Sequence, residues 1–219
     1  MNVKPALYAM NVAALVTDDA LFRKAFALAS PTRKEKAARY RRREDAALSL
    51  GVELLLRYAY ARAGMPFPKR FITSANGKPF GGELFFNLSH SGEWALCAVA
   101  NGEVGCDVEK IDPAHLRIAE RFYSATENEQ LAAADNEEER VLRFFRMWTL
   151  KESFIKAADA HVDSMFSGPT VILGEPSRIE GESVTVAEYT ELPGYACAAC
   201  SYSGEELPPL QILELRDLL

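Results

Sequence analysis

The 219-residue sequence predicts an α+β fold, and two observations carry that expectation. Apolar residues recur at helical spacing over two long stretches, 31–63 and 137–158, while short apolar runs bounded by turn signals fill the segments around them. The two stretches also have matching introductions, Ser30-Pro31-Thr32 and Ser124-Ala125-Thr126, so strand, helix and strands follow in one order twice. That order is a weak internal repeat of two α+β halves, 1–104 and 105–219, with a boundary near 101–105.

The elements follow in turn. Residues 6–16 read as an opening strand. The apolar run from Leu7 is interrupted by Asn11 and ends at Asp18-Asp19, which fits a strand better than a leader peptide. Asp18 or Asp19 caps a short helix that turns Leu21, Phe22, Ala25 and Phe26 inward. Ser30 is an N-cap with proline at the first helical position, and the helix should run to about Ala63, where Gly64 and Pro66 stop it. Asn76-Gly77 and Asn101-Gly102 are hairpin signals; the second predicts that strand 104–109 pairs with 94–100. Pro113 opens a helix through Phe122, and Ser124-Ala-Thr-Glu127 is a capping box. After the second long helix come strands at 170–173, 183–189, 196–202 and 210–215, and the tail after about 203 is expected to pack back on the first half.

Composition narrows the class. An apolar fraction of 48% and a charged fraction of 26% are ordinary for a globular protein, and a net charge of −6 argues against general nucleic-acid binding. No apolar run reaches the length of a membrane span, so a cytoplasmic, membrane-free protein is expected. The four cysteines fit reduced thiols. Cys197 and Cys200 form a CxxC, but it lies within an apolar strand with no helix start or second ligand pair, so they read as core.

The chemistry concentrates in two segments, Gly105-Cys106-Asp107-Val108-Glu109 and Trp148-Thr149-Leu150-Lys151-Glu152-Ser153-Phe154-Ile155-Lys156. On a strand Asp107 and Glu109 share a face; on a helix Trp148, Glu152 and Lys156 share a stripe. If those faces meet, three carboxylates converge beside one ammonium, an arrangement stable around a cation. Oxygen ligands alone favour a hard ion such as Mg²⁺, which completes its shell with water and phosphate. The plainer reading is the wet face of an edge strand, with Lys156 an ordinary helix partner of Glu152.

These segments resemble the signature of the 4′-phosphopantetheinyl transferases of the large, surfactin-synthetase type. Further matches keep the family's order: Ser30-Pro31 leading into Arg39-Tyr40 and Glu44-Asp45-Ala46, Gly77-Lys78-Pro79, and Phe86-Asn87-Leu88-Ser89-His90-Ser91. The matches span about residues 30–157; within the two signature segments Cys106 is the one departure, where isoleucine or valine is usual, and upstream Arg33 stands where the family commonly has lysine.

The resemblance implies a pseudo-twofold pair of similar α+β subdomains with the active site between them, in a monomer. It implies transfer of the phosphopantetheine arm of coenzyme A to a serine of an acyl or peptidyl carrier protein. Asp107, Glu109 and Glu152 would hold Mg²⁺, Glu152 would take the serine proton directly or through water, and Lys156 would support the departing group.

Residues 33–43 carry seven basic side chains in a net-acidic chain, a local field that gathers anions. The resemblance assigns Arg33 and Lys36, with Ser49 as a third, to the 3′-phosphate of coenzyme A. It places Lys78, Ser89 and His90 around the nucleotide, His90 ahead of His115 and His161. The segment from His115 to Tyr123, with Leu116, Arg117, Ile118, Arg121 and Phe122, would border the carrier. Two other classes remain open on the residues alone: a Mg²⁺-dependent nucleotide phosphohydrolase and a non-catalytic anion-binding module.

Overall fold

Strand β1 (Ala6–Asn11) is buried at every residue but the last, as a strand covered on both faces must be. The chain is described by a computed structural model for residues 3–82, 84–118, 122–160 and 168–219, with the backbone alone at 117 and 118. The opening strand is shorter than the sequence predicts. The Asn11 side chain accepts the Ala13 N–H at 2.8 Å and starts a helical turn, α1 (Ala13–Thr17), because a short amide can replace the next ladder bond. Helix α2 (Asp19–Leu28) is capped by the Asp18 carboxylate, which accepts from the N–H groups of Ala20 and Leu21.

The single helix expected over 31–63 is two. Ser30 caps α3 (Pro31–Arg39), accepting the Arg33 N–H at 3.2 Å. Tyr40 then takes extended backbone (φ −69°, ψ 137°), and α4 runs from Arg43 to Arg62. A turn at Asn76-Gly77 joins the two-residue strands β2 (Ile72–Thr73) and β3 (Pro79–Phe80), with Gly77 at φ 88°. Strands β4 (Phe85–Ser91) and β5 (Trp94–Ala100) form a hairpin, β6 (Val104–Lys110) follows, and Pro113–Ile118 forms a 3₁₀ turn; residues 119–121 of the helix expected through Phe122 lie outside the described residues.

Helix α5 (Ala125–Ala132) opens on the expected capping box, in which Ser124 and Glu127 bond reciprocally. Helix α6 spans Glu137–Ala157. The short strands β7 (Val171–Ile172) and β8 (Arg178–Ile179) pair, β8 being unforeseen. Strands β9 (Thr185–Tyr189), β10 (Tyr195–Ser201) and β11 (Leu210–Ile212) close the chain.

The strands form two principal sheets, ordered β11-β1-β5-β4 and β6-β10-β9. The predicted β5–β6 hairpin does not form as a ladder: β6 pairs antiparallel with β10. The turn signal sets a reversal, and burial chooses the partner; β6 is buried from Val104 to Val108 and fits the second sheet. Parallel pairing of β11 with β1 completes the first sheet with the tail.

Side-chain alternation then stacks four layers. Tyr8, Met10, Cys97 and Val99 face α4; Leu7, Ala9, Leu96 and Ala98 face Cys106, Val108, Cys197 and Ala199 across the sheets; Ala196, Ala198 and Cys200 face α6. Cys197 and Cys200 therefore point to opposite faces and share no ligand position. Burial pushes both thiols up, Cys200 to about 12.

Candidate functional site

Strands β4 and β6 belong to different sheets yet run side by side, joined through side chains. Asn87 accepts the Cys106 N–H at 3.0 Å, Ser89 that of Val108 at 3.4 Å and Ser91 that of Lys110 at 3.1 Å. This is period two on both strands, in parallel. The same serines orient the carboxylates: Ser89 donates to Asp107 Oδ1 and Ser91 to Glu109 Oε2, each at 2.8 Å. The opposite residues of β4, Phe86, Leu88 and His90, line a cleft on its other side. One strand thus separates a carboxylate cluster from a cationic cleft.

Helix α6 brings the remaining members of the cluster. It lies so close on β6 that a Cβ at Gly105 would stand 1.9 Å from the Ser153 carbonyl oxygen, so only glycine fits. That contact places Lys156 Nζ 2.5 Å from Asp107 Oδ1 and 3.7 Å from Glu152 Oε2. Burial opposes the charge on Lys156, but Asp107 and Glu152 outweigh it and raise its pKa. Burial raises Glu152, and Asp107 adds to this against the pull of Lys156. Burial, with the nearby Asp107 charge, raises Glu109 to about 7. Trp148 packs on Phe144 and Phe122 at 5.8 and 5.3 Å, against the core of the second half.

Among the described residues Asp107 Oδ2 is buried without a hydrogen-bond partner, which is costly for a carboxylate oxygen. Among the described residues no three His, Cys, Asp or Glu side chains already converge as ligands. The donor set nevertheless suits a hard cation: only oxygens, one of them orphaned, in a cluster with more carboxylates than ammonium groups. Asp107, Glu109 and Glu152 could hold such an ion.

The cleft has a volume of about 680 Å³ and is lined by Ser30, Arg33, Lys36, Lys69, Arg70 and His90 among others. Arg33 is held from behind: its Nε donates to Glu53 Oε2 at 3.3 Å and its Nη1 to Ser49 Oγ at 3.2 Å. Glu53 is 3% exposed and also accepts from Ser30 N–H, Ser30 Oγ and Arg57, so one buried carboxylate fixes the start of α3 and the arginine on it. Burial first, then Lys36, lowers the pKa of His90 and favours the neutral ring.

Of the six residues assigned to the nucleotide, Arg33, Lys36 and His90 line the cleft. Ser49 lies beneath Arg33, Ser89 is turned to Asp107, and the Lys78 ammonium bonds Ala157 O, Val104 O and Glu103. His115 is exposed; Arg121 and His161 lie outside the described residues.

Ser91 and Glu53 were not singled out from sequence. Ser91 was legible as the i+2 neighbour of Ser89, mirroring Glu109 beside Asp107. Glu53 was legible as a lone carboxylate within an otherwise apolar helical run. A second cleft of about 620 Å³ borders Arg146, Ser177, Glu188 and Tyr195. Arg146, the only cation among its described lining residues, is bound to both oxygens of Glu188, so this cleft offers no free charge to an anion.

A carboxylate cluster with one lysine beside a cleft of arginine, lysine and histidine has the chemistry to suit an anionic, phosphate-bearing substrate. Comparison with known proteins agrees. Residues 103–200 match the model of the 4′-phosphopantetheinyl transferase superfamily. The chain is 32% identical over 201 residues to 4′-phosphopantetheinyl transferase Sfp of Bacillus subtilis (strain 168), covering 87% of this chain and 89% of that protein. It is 33% identical to transferase psf-1 of Bacillus pumilus (85% and 84% covered) and 35% identical to transferase gsp of Aneurinibacillus migulanus (87% and 86%). The chain belongs to the 4′-phosphopantetheinyl transferases, in their Sfp type.

Proposed function

We propose that this enzyme transfers the 4′-phosphopantetheine arm of coenzyme A to a serine of an acyl or peptidyl carrier protein and releases adenosine 3′,5′-bisphosphate. The observation that carries the reading is the orphaned Asp107 Oδ2, in a carboxylate–lysine cluster one strand away from a cationic cleft. The chain acts as a monomeric pair of similar halves, 1–104 and 105–219, with the site between them, in the cytoplasm. Among the described residues no helix is long and apolar enough to cross a membrane.

The serine oxygen forms a bond to the β-phosphorus of coenzyme A as the bond from that phosphorus to the bridging anhydride oxygen breaks. Catalysis of this kind rests on positioning and charge stabilisation. Arg33, Lys36 and His90 hold the 3′-phosphate end, with Ser49 fixing Arg33 from below. Glu152 takes the serine proton, a role its raised pKa suits. Lys156 neutralises charge that develops on the departing bisphosphate. Asp107, Glu109 and Glu152 would hold Mg²⁺, and when bound it supplies charge neutralisation of the pyrophosphate. Ser89 and Ser91 keep two of those carboxylates aimed.

Leu116 and the half-buried Phe122 beside Trp148 border the carrier side. Tyr123 takes no part there, since it is buried and its hydroxyl donates to Phe144 O at 2.6 Å. Incubation of apo carrier proteins with coenzyme A, Mg²⁺ and the enzyme tests the reading by intact mass. Gain of the arm's mass on a carrier is the expected result. Failure across carriers of fatty-acid, polyketide and nonribosomal-peptide type would overturn it.

A further inference from the structure

We propose that the turn from Ser74 to Lys78 is a latch that holds the C-terminal end of α6, and that Lys78 is a positioning residue for Glu152 and Lys156 instead of a ligand of the nucleotide. What that end of α6 does rests on the function proposed above; the latch itself rests on geometry.

Gly77 and Pro79 line the cationic cleft, but Lys78 between them does not. Its side chain turns the other way and is only 13% exposed. The ammonium donates to Ala157 O at 3.1 Å, Val104 O at 3.3 Å and Glu103 Oε2 at 2.5 Å. An ammonium has three N–H donors, so these contacts leave none for a phosphate. Ala157 is the last residue of α6 and the immediate neighbour of Lys156. A cation there also meets the negative end of the helix dipole.

The rest of the turn grips the next residues. Ser74 Oγ accepts from Asn76 N–H and Lys78 N–H, which leaves its own hydrogen for Asp159 Oδ1 at 2.9 Å. The Asn76 amide donates to Asp159 O. Asp159 is the one non-glycine with positive φ among the described residues, at 50°, so the chain leaves the helix at the point the turn holds. On the other side the α6 backbone rests on Gly105 with no room for a methyl group. The end of α6 is therefore fixed from two directions. The first half of the chain supplies the latch, and the second supplies the floor. Loss of either lets Lys156 and Glu152 move relative to Asp107.

The test uses the full chain with Lys78→Met, Lys78→Arg and Ser74→Ala. Two readouts are taken: amide hydrogen exchange over 154–160, and carrier-transfer kinetics with equilibrium coenzyme A binding. Lys78→Met should speed exchange in that segment about tenfold, the worth of one lost net hydrogen bond, with exchange in α4 unchanged. It should lower kcat while leaving the Kd for coenzyme A unchanged. Lys78→Arg should restore most of kcat, and Ser74→Ala should show the same pattern more weakly. Unchanged exchange over 154–160 in both Lys78→Met and Ser74→Ala would overturn the latch. So would a raised Kd for coenzyme A with normal kcat, which would return Lys78 to the nucleotide. Hydrogen exchange decides the latch even if the wild-type enzyme transfers nothing, so failure of the latch and failure of the transferase reading are separable.

Discussion

Two lysine–carboxylate pairs lie five residues apart on α6, and they are built in opposite ways. Lys151 and Glu127 meet at 2.6 Å with side chains 1% and 0% exposed. Among the described residues no buried side-chain atom of this pair lacks a partner: Glu127 also accepts from Ser124 N–H and Val171 N–H, and Lys151 donates to Phe122 O and lies over the Tyr123 ring. Lys156 and Asp107 meet at 2.5 Å, but Lys156 is 29% exposed and Asp107 keeps one buried oxygen with no partner. A closed pair ties α5 to α6 and has nothing left to offer a substrate. The open pair has an acceptor and a partly exposed ammonium to spare. An unmet hydrogen-bonding requirement, more than burial or charge, distinguishes the site from the scaffold.

Breaking the closed pair should produce the largest change. Lys151→Met leaves Glu127 charged and buried, and should lower the unfolding free energy by about 3–5 kcal/mol in urea titrations. Adding Glu127→Gln removes the stranded charge while keeping an acceptor for the Ser124 or Val171 N–H, and should recover part of that loss. A single variant as stable as wild type would show that the pair is not what joins α5 to α6.

The open pair should respond in turnover. Asp107→Asn should lower the stability of the metal-free protein far less than Lys151→Met does, because Lys156 is 29% exposed and keeps Glu152 as a counter-charge. It should lower kcat by about 10²-fold or more, the scale of a lost electrostatic contact at a reacting phosphate. Loss of fold in this variant would place Asp107 with Glu127 as scaffold.

The cleft beyond β4 should act on binding. Arg33→Ala should weaken coenzyme A by about 1.5–3 kcal/mol, measured calorimetrically, and less so when 3′-dephospho-coenzyme A is the ligand. Equal losses with both ligands would move Arg33 off the 3′-phosphate.

The smallest expected effect is on pH. The folded pKa of Glu109, about 7, lies above its ordinary 4.5, so the folded state holds that proton more tightly. The resulting stability is full below about pH 4.5 and is lost as pH rises through 7. Melting temperatures in chelator should fall across that window, and Glu109→Gln should flatten the slope. An unchanged slope in Glu109→Gln would assign it to another group.

Much of this arrangement was legible in the residues. Period two placed Asp107 with Glu109, and period four placed Glu152 with Lys156, because those relations are local. The capping box at Ser124 and the N-cap at Ser30 were legible for the same reason. What escaped was decided by distant partners. The Asn101-Gly102 turn did not reveal that β6 would leave β5 for β10, since that choice depends on residues 195–201. Lys78 reads as a nucleotide contact in the sequence, which does not reveal that its ammonium bonds Ala157 O and Glu103, both distant in the chain. Lys151 had no visible role because its partner Glu127 lies on another helix.

The contrast between the two pairs is tested most directly by one intact-mass assay run on three enzymes. Wild type, the Lys151→Met/Glu127→Gln double variant and Asp107→Ala are each incubated with coenzyme A, Mg²⁺ and an apo carrier protein. Wild type and the folded double variant should convert the carrier to its phosphopantetheinylated form, and Asp107→Ala should leave it unmodified. Near-normal conversion by Asp107→Ala at low Mg²⁺ would contradict the claim that the open pair is where the chemistry occurs.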